Sequence, residues 1–435
     1  MGDSTGWFRS LVHETLCSKY FVVFCFVSAF ALRMCWISLV NPEPVSDFAV
    51  YYNTAVGLSA GRGFLTVDGA PTASWPVGYP GFLSVLFTIF GPSLFAGKMA
   101  NVILYMGILF LSYHLARKLF NSELTGRMTL AILSFYPAHI AYCSLLGTEI
   151  LSTFLLLLAV SLLIFAGPRV YMGLLSGLVF GAGCLVRPET FFVPAMLFTE
   201  GLSKRIREGM LRKHVGLFLV AYASLLLTIL PWEVRIYHLF GTVSFVTTRG
   251  GLALFMGNNP YADGHSWNTE MTKMLGGTGN EVEIDARARA FALDYMRHHP
   301  LKIIRLLPAK FYYLYARDTS AAGWNEIGMR PMHKSLLMFF RGFGILSQAY
   351  YMAMMIAFFV ALLFLFGSKR WKARFPRSSM VGLWLIAYFT AIGLVFIGNE
   401  RYHFRTMPWI AMYVGALTAL YVAPHSSTIS LSEEK

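Results

Sequence analysis

Residues 21–40 read FVVFCFVSAFALRMCWISLV, an apolar run that contains one charged side chain, Arg33. About 20 predominantly apolar residues are needed for a helix to cross the hydrocarbon core of a bilayer. The run is too long for the core of a signal peptide, and no small-residue cleavage site follows it. It therefore predicts a retained first transmembrane helix.

Comparable apolar runs recur along the rest of the chain, which is 56% hydrophobic and 13% charged, whereas a soluble domain is about half apolar and a quarter charged. Such an excess of apolar residues needs lipid as its solvent. The sequence predicts an all-α polytopic membrane protein with about ten transmembrane helices, and nine to thirteen are compatible with the pattern. The further runs lie at 96–116, 128–142, 150–166, 171–186, 190–202, 215–232, 336–366, 380–398 and 406–423.

The basic residues of the short loops predict the orientation. Lys and Arg in loops favour the cytoplasmic side, and with ten crossings the three basic clusters fall on the side of both termini. The clusters are Arg117 and Lys118; Lys204, Arg205, Arg207, Arg212 and Lys213; and Lys369, Arg370, Lys372, Arg374 and Arg377. The net charge of +14 is then explained by loops and anionic headgroups, so no nucleic acid is expected as a partner.

Two long segments, 41–95 and 233–335, are left on the outer side. Each contains an apolar stretch too short to span, Tyr79 to Phe90 and Leu301 to Tyr315. In the second stretch Leu301, Ile304, Leu307, Phe311 and Leu314 recur every three or four residues against Lys302, Arg305 and Lys310. This is the period of an amphipathic helix lying in the membrane plane. We expect outer juxtamembrane helices within a single domain, 1–423, followed by a disordered cytoplasmic tail, 424–435.

The sequence predicts no metal site and requires no cofactor. The five cysteines lie in or near apolar runs without metal-ligand or disulfide spacing, and His265 and His403 have no clustered partner in the sequence. A requirement for a divalent metal stays open.

Ionisable side chains at membrane depth or at helix ends are costly and usually functional. In the predicted topology six of them face the outer side: Asp47, Glu149, Arg187, Glu400, Arg401 and Arg405. Structural alternatives are a helix N-cap for Asp47, a dipole-balancing acid for Glu149 and interfacial contacts for the arginines. Arg187 could also pair with Glu189. Together they suit an anionic lipid-linked substrate and a reaction that needs a base.

Two loop motifs flank these residues. Trp75-Pro76-Val77-Gly78-Tyr79-Pro80-Gly81 is a rigid aromatic turn, and Gly257-Asn258-Asn259-Pro260 is a tight turn whose amides could bind sugar hydroxyls or cap the chain. Taken alone, each motif is more readily explained as a structural turn.

At these residues the sequence resembles the C-type superfamily of membrane glycosyltransferases, relatives of the dolichyl-phosphate-mannose–protein mannosyltransferases and of the lipid A aminoarabinose transferase. The matching elements follow one another in order over some 360 residues, and two depart from the family pattern, with Val77 for a proline and Thr148 for a serine. They are Asp47 with Tyr51 and Ala55, Gly61 to Phe64, Val77 to Pro80, Tyr136-Pro137, Glu149, Arg187-Pro188-Glu189, Pro231-Trp232 with Arg235, Gly257 to Pro260, and Arg401-Tyr402 with Pro408.

The resemblance implies a polyprenyl-phosphate sugar donor and an acidic residue after the first helix as catalytic base, a role that falls on Asp47, with Glu149 as the second acid. Arg187, Arg401 and Arg405 would bind the donor phosphate, and Tyr51, Tyr79, Asn258, Asn259 and Tyr402 would line the substrate pocket. The expected function is inverting transfer of a monosaccharide to a lipid, glycan or protein acceptor, outside the cytoplasmic (inner) membrane of a bacterium. A polysaccharide polymerase or ligase, and a lipid or solute transporter, are the alternatives.

Overall fold

The computed structural model describes residues 13–66, 68–166, 169–199, 209–276, 278–367 and 375–422. Most of the basic loop residues on which the orientation was predicted lie outside these ranges, namely Lys204, Arg205, Arg207, Lys369, Arg370, Lys372 and Arg374. The predicted disordered tail, 424–435, also lies outside them.

The described chain is built from helices, and its one β feature is an isolated bridge between Leu65 and Pro71. Three 3₁₀ segments, Pro188–Phe192, Arg377–Ser379 and Glu400–Thr406, connect helices, and short helical stretches also occur at 13–17 and 193–199. The remaining helices are α1 Phe21–Leu39, α2 Asp47–Ser59, α3 Gly78–Phe90, α4 Leu94–Phe120, α5 Glu123–Ser134, α6 Pro137–Tyr142, α7 Thr148–Ala166, α8 Val170–Val186, α9 Leu211–Phe240, α10 Gly250–Gly257, α11 Thr269–Leu275, α12 Glu281–His298, α13 Pro300–Tyr315, α14 Ser320–Gly328, α15 Lys334–Gly367, α16 Met380–Val395 and α17 Met407–Val422.

Six candidate membrane spans are long and apolar enough to cross a bilayer, and α3 and α8 are shorter apolar helices. This confirms the predicted all-α polytopic membrane fold, including a first span at Phe21–Leu39; crossings beyond the six stay a prediction. The six are Phe21–Leu39, Leu94–Phe120, Thr148–Phe165, Leu211–Phe240, Lys334–Gly367 and Arg377–Val395.

The apolar run at 128–142 is two helices rather than one. The α5 helix ends at Ser134, and α6 begins at Pro137. Pro137 has no N–H to donate, and its ring forces the preceding residue out of the helical region, so Tyr136 is extended with φ −72° and ψ 112°.

Residues of two of the basic loops lie together at the end of α4. Arg117 and Lys118 are in the last turn of α4, and the hydroxyl of Ser378, next to Arg377, donates to the carbonyl of Leu119 at 2.7 Å. The other end of α4 is about 40 Å away at 1.5 Å per residue. At that other end Lys98 donates a hydrogen bond to Asn41, which follows the end of α1. The first outer segment of the prediction, 41–95, therefore begins at the end of α4 opposite these basic residues.

The helix predicted at Leu301 to Tyr315 forms as α13, with Leu301, Ile304 and Phe311 exposed along one face as an in-plane helix would have them. The expectation that Lys310 belongs to its polar surface is wrong. Lys310 is fully buried, and its ammonium donates hydrogen bonds to the carbonyls of Leu394 at 3.0 Å and Val395 at 3.3 Å in place of water.

The α8 and α9 helices pack backbone to backbone through glycines spaced four apart. An added Cβ at Gly177 would lie 2.0 Å from the hydroxyl oxygen of Ser224 and 2.1 Å from the carbonyl oxygen of Ala221, and Gly173 and Gly181 are similarly close to α9. Small residues at this spacing allow helices to approach closely in a membrane, where packing drives association.

We expect Gly177→Ala to destabilise the protein by about 1–3 kcal/mol, because the helices must move apart to admit the methyl group. The measurement is the midpoint of thermal unfolding in detergent. Gly216→Ala is the control, since its Cβ would meet nothing within 4 Å. An unchanged midpoint for Gly177→Ala would show that the glycines do not set the packing distance.

Candidate active site

The site begins where the chain leaves α1. After Pro42 and Pro44, Ser46 has a positive φ of 52°, and Asp47 is the first residue of α2 rather than its N-cap. The Asp47 carboxylate lies 3.0 Å from Nη1 of Arg401, and the side chain keeps 33% exposure. Asp47 is therefore held in place and is partly exposed to solvent.

Arg401 joins the two predicted acids. Its Nε and Nη2 lie 3.0 Å and 2.9 Å from Oε1 of Glu149, while Nη1 contacts Asp47. The guanidinium also lies over the rings of Phe48 at 4.7 Å and Trp324 at 5.9 Å, which exclude water from its faces. Glu149 and Arg401 are 252 positions apart in the chain, and the fold brings them into direct contact.

Arg187 contacts Glu149 from the end of α8. Its Nη2 lies 3.1 Å from Oε1 of Glu149, and its Nε donates to the hydroxyl of Thr148 at 2.9 Å. The threonine that departs from the family pattern thus supplies an oxygen of the same kind as a serine. One oxygen of Glu149, Oε2, is buried and has no partner among the described residues.

Glu189 adds a third carboxylate to these contacts. The sequence indicated it only as a partner of Arg187. Its Oε1 lies 2.6 Å from Nη2 of Arg405 and 3.6 Å from Nη1 of Arg187. Burial alone would raise the pKa of Glu189, but Arg405 and Arg187 outweigh it and hold the pKa below its usual value.

Three carboxylates and three guanidinium groups thus alternate, and their formal charges cancel. These six residues form the charged cluster. In order of contact they are Asp47, Arg401, Glu149, Arg187, Glu189 and Arg405.

The three predicted tyrosines border this cluster. Tyr51 packs edge to face on Trp75 and on Tyr79, each at 5.5 Å between ring centroids, and the guanidinium of Arg187 lies 5.5 Å from the ring of Tyr402. Burial, followed by the charge of Asp47, raises the pKa of Tyr51, so its hydroxyl stays protonated. The Tyr79 hydroxyl is buried without a partner among the described residues.

The two asparagines are placed differently. The Asn258 amide donates to the carbonyls of Leu254 and Val395, both at 2.8 Å, and its oxygen accepts from Lys310 at 3.1 Å. The Asn259 side-chain amide donates to the carbonyl of Phe255 at 2.7 Å. These bonds fix the turn after α10, and none of them reaches the charged cluster.

A buried pair that the sequence did not reveal holds the segment carrying Arg401. His403 Nε2 lies 3.4 Å from Oδ1 of Asp318, and its Nδ1 donates to the carbonyl of Leu314 at 2.6 Å. Tyr136 donates to the other oxygen of the same aspartate. The partner lies 85 residues away in the chain, so spacing alone gave no signal for it.

The pair makes stability depend on pH. Burial would lower the pKa of His403, but the hydrogen bond and charge of Asp318 outweigh it and raise the pKa above its usual value. A raised pKa contributes stability that is complete below about pH 6.5 and is lost as the pH rises through the pKa of the folded state.

We therefore expect the thermal unfolding midpoint of wild type to exceed that of His403→Gln most at low pH. The difference between the two midpoints should shrink as the pH rises. A gap independent of pH would contradict a protonated His403. His298→Gln, at an exposed ion pair, is the control.

Comparisons with known proteins confirm the resemblance to the C-type membrane glycosyltransferases. Residues 74–232 match the family model for dolichyl-phosphate-mannose-protein mannosyltransferase. A comparison with curated proteins gives no match.

Solved structures of an archaeal oligosaccharyltransferase share the fold. The oligosaccharyltransferase of Archaeoglobus fulgidus, crystallised with Zn and sulfate, has a TM-score of 0.56 at 13% identity, covering 92% of this chain and 49% of its own. The same organism's archaeal oligosaccharyltransferase AglB, in complex with an inhibitory peptide and a dolichol-phosphate, gives 0.53 at 12% identity, covering 92% and 50%. ArnT from Cupriavidus metallidurans, bound to undecaprenyl phosphate, gives 0.43 at 13% identity, covering 94% and 78%. The chain spans about half the length of the oligosaccharyltransferase.

The zinc in that neighbour raises the question of a metal here. No group of three His, Cys, Asp or Glu side chains comes together in the part of the chain that the structure describes. Asp47 and Glu149, the two predicted acids, each contact the guanidinium of Arg401, so the cation between them is already supplied by the protein.

Proposed function

We propose that the protein is a glycosyltransferase that moves a monosaccharide from a polyprenyl-phosphate donor to a lipid, glycan or protein acceptor. The observation that carries the proposal is the contact of Asp47, partly exposed just past the first span, with Arg401 at 3.0 Å. In an inverting displacement the base lies on one side of the sugar carbon and the groups that bind the departing phosphate lie on the other, so a carboxylate and several guanidinium groups must border one site.

In the proposed step the acceptor oxygen forms a bond to the anomeric carbon as the bond from that carbon to the phosphate oxygen breaks. Asp47 takes the proton of the acceptor hydroxyl. The electron pair of the broken bond stays on the phosphate, so the donor's phosphodiester becomes a monoester with one more negative charge. Attack opposite the leaving group inverts the anomeric configuration.

The arginines stabilise the charge that develops on the phosphate. A guanidinium has five N–H donors, and the carboxylate contacts of Arg401 use three of them. The unused donors of Arg401, Arg187 and Arg405 can bind phosphate oxygens through short charge-assisted hydrogen bonds while the carboxylates keep the fork in place. Glu149 orients Arg401 and Arg187 towards one point.

Tyr51, Tyr79 and Tyr402 are proposed to face the sugar, since they border the charged cluster. Asn258 and Asn259 are the weaker part of the predicted pocket, because a sugar would have to displace their bonds to the main chain. We place the site on the outer face of the cytoplasmic (inner) membrane of a bacterium, as the positive-inside rule predicts.

The test is incubation of the purified protein with radiolabelled polyprenyl-phosphate monosaccharides and a membrane extract as acceptor source, without an ion gradient. A glycosyltransferase of this kind releases polyprenyl phosphate and labels an acceptor. A polymerase or ligase would act only on diphosphate-linked oligosaccharides, and a transporter would move label across vesicles without breaking the sugar–phosphate bond. Either result would overturn the proposal.

A further inference from the structure

Arg401 lies in a segment that joins two helices, between the end of α16 at Val395 and the start of α17 at Met407. Phe396 leaves the helical conformation with φ −94° and ψ −97°, and the 3₁₀ segment Glu400–Thr406 follows. Backbone groups outside an α-helix find their hydrogen-bond partners in neighbouring elements. The position of Arg401 therefore depends on the contacts that hold this segment.

The end of α16 is held by Lys310. The last carbonyls of an α-helix have no partner within the helix, and a positive charge near them is favourable. The carbonyls of Leu394 and Val395 accept hydrogen bonds from the ammonium of Lys310 at 3.0 Å and 3.3 Å. The ammonium also donates to the side-chain oxygen of Asn258 at 3.1 Å, and the amide of Asn258 donates to the carbonyl of Val395 at 2.8 Å. Lys310 and Asn258 together form the α16 cap.

The α13 helix contacts the same segment on both sides of Arg401. Before the arginine, Gly398 packs directly on Lys310, since an added Cβ at Gly398 would lie 1.9 Å from the carbonyl oxygen of Lys310. After the arginine, Nδ1 of His403 donates to the carbonyl of Leu314 at 2.6 Å. Lys310 and Leu314 are four residues apart, so they share one face of α13. That face fixes the path of the chain through Arg401.

We propose that Lys310 is a positioning residue for Arg401, and that Asn258 acts with it in the α16 cap. The three N–H groups of the Lys310 ammonium have three acceptors in the protein, so none is left for a substrate. Its effect on the reaction passes through Arg401, which the cap holds at 3.0 Å from Asp47 and 2.9 Å from Glu149. The effect on the donor rests on the proposed function, whereas the cap itself does not.

The first measurement is the dissociation constant of a radiolabelled polyprenyl phosphate for the full chain in nanodiscs. Lys310→Met retains the volume of the side chain and removes the ammonium. We expect it to raise the dissociation constant by about 3–10-fold, and to have no further effect in an Arg401→Ala background, because residues that act through one another are not additive. A loss of folded protein would instead lower the number of binding sites and leave their affinity unchanged. Equal effects in both backgrounds would overturn the proposal.

Asn258→Ala is the second variant, since it removes the other donor to the carbonyl of Val395. It should also weaken the binding of polyprenyl phosphate, whereas loss of a residue that contacts only the sugar would not. Arg33→Met is the matched control, because Arg33 is a fully buried cation that caps a different helix, α5, through the carbonyls of Leu133 at 3.1 Å and Ser134 at 3.0 Å. An equal loss of affinity in Arg33→Met would mean general destabilisation and would refute the positioning role.

The second measurement, hydrogen exchange of the backbone amides from 396 to 406, needs no ligand. We expect exchange there to become at least about tenfold faster in Lys310→Met and in Asn258→Ala, and to be unchanged in Arg33→Met, because loss of the cap lets the segment open locally. Unchanged exchange in Lys310→Met would overturn the α16 cap. Faster exchange in Lys310→Met, together with an Arg401→Ala variant that binds polyprenyl phosphate normally, would refute the proposed phosphate contact and leave the cap standing.

Discussion

Asp47→Asn lowers the rate of sugar transfer by about 10²–10⁴-fold, the contribution of a positioned general base, while the donor dissociation constant changes little. Asparagine has the same shape and can still accept a hydrogen bond from Arg401, which lies 3.0 Å away, but it cannot take a proton. The measurements are single-turnover transfer in nanodiscs and equilibrium binding of a radiolabelled donor.

Asp294→Asn is the control for this variant, because Asp294 is an exposed carboxylate paired only with His298 in the described structure. It should retain full activity. If Asp47→Asn also keeps near-normal turnover, Asp47 only holds the end of α2 in place, and the base lies elsewhere.

Arg401→Ala is expected to weaken the binding of the donor strongly. It leaves the buried Glu149 with Arg187 alone and removes the partner of Asp47, and breaking a buried pair from one side costs about 3–5 kcal/mol. We expect the donor dissociation constant to rise by at least about 10–100-fold, with a smaller change in acceptor affinity. Arg401→Lys should restore little, since an ammonium cannot make the three contacts of the guanidinium fork.

Arg289→Ala tests the specificity of that effect. Arg289 forms an ion pair with Asp285 at 2.8 Å but is 54% exposed, so its loss should change donor binding by less than about twofold. Equal loss of donor and acceptor affinity in Arg401→Ala would mean that the arginine supports the fold of the site and does not bind the phosphate.

Much of the fold could be predicted from the sequence because lipid imposes a simple rule on it. A run of apolar residues long enough to cross a bilayer is visible in one dimension, and α1, α4 and α15 follow their predicted runs within a few residues. The break at Pro137 was missed although the proline itself was visible, because the apolar run continues through it.

The candidate site could be predicted in part. Asp47, Glu149, Arg187 and Arg401 were singled out as charges at helix ends, and the structure places them in contact. Their pairing could not be predicted, because Arg401 approaches Glu149 from 252 positions away. Glu189 drew attention only as a neighbour of Arg187 in sequence, whereas it joins that arginine to Arg405 in space.

The least predictable features were charges that the fold buries. Periodicity placed Lys310 on a polar surface, but the turn at Asn258 and the end of α16 surround it with acceptors. His403 had no partner at useful spacing, and its partner Asp318 comes from the loop before α14. Such contacts depend on tertiary packing between distant segments, which a local pattern does not encode.

A structure of the protein bound to a non-transferable polyprenyl-phosphonate sugar tests the central claim most directly. The account predicts the phosphonate oxygens within about 3 Å of a guanidinium nitrogen of Arg401 or Arg187, with the anomeric carbon facing the carboxylate of Asp47. A donor bound with its phosphonate remote from both arginines, and its sugar out of reach of Asp47, would contradict it.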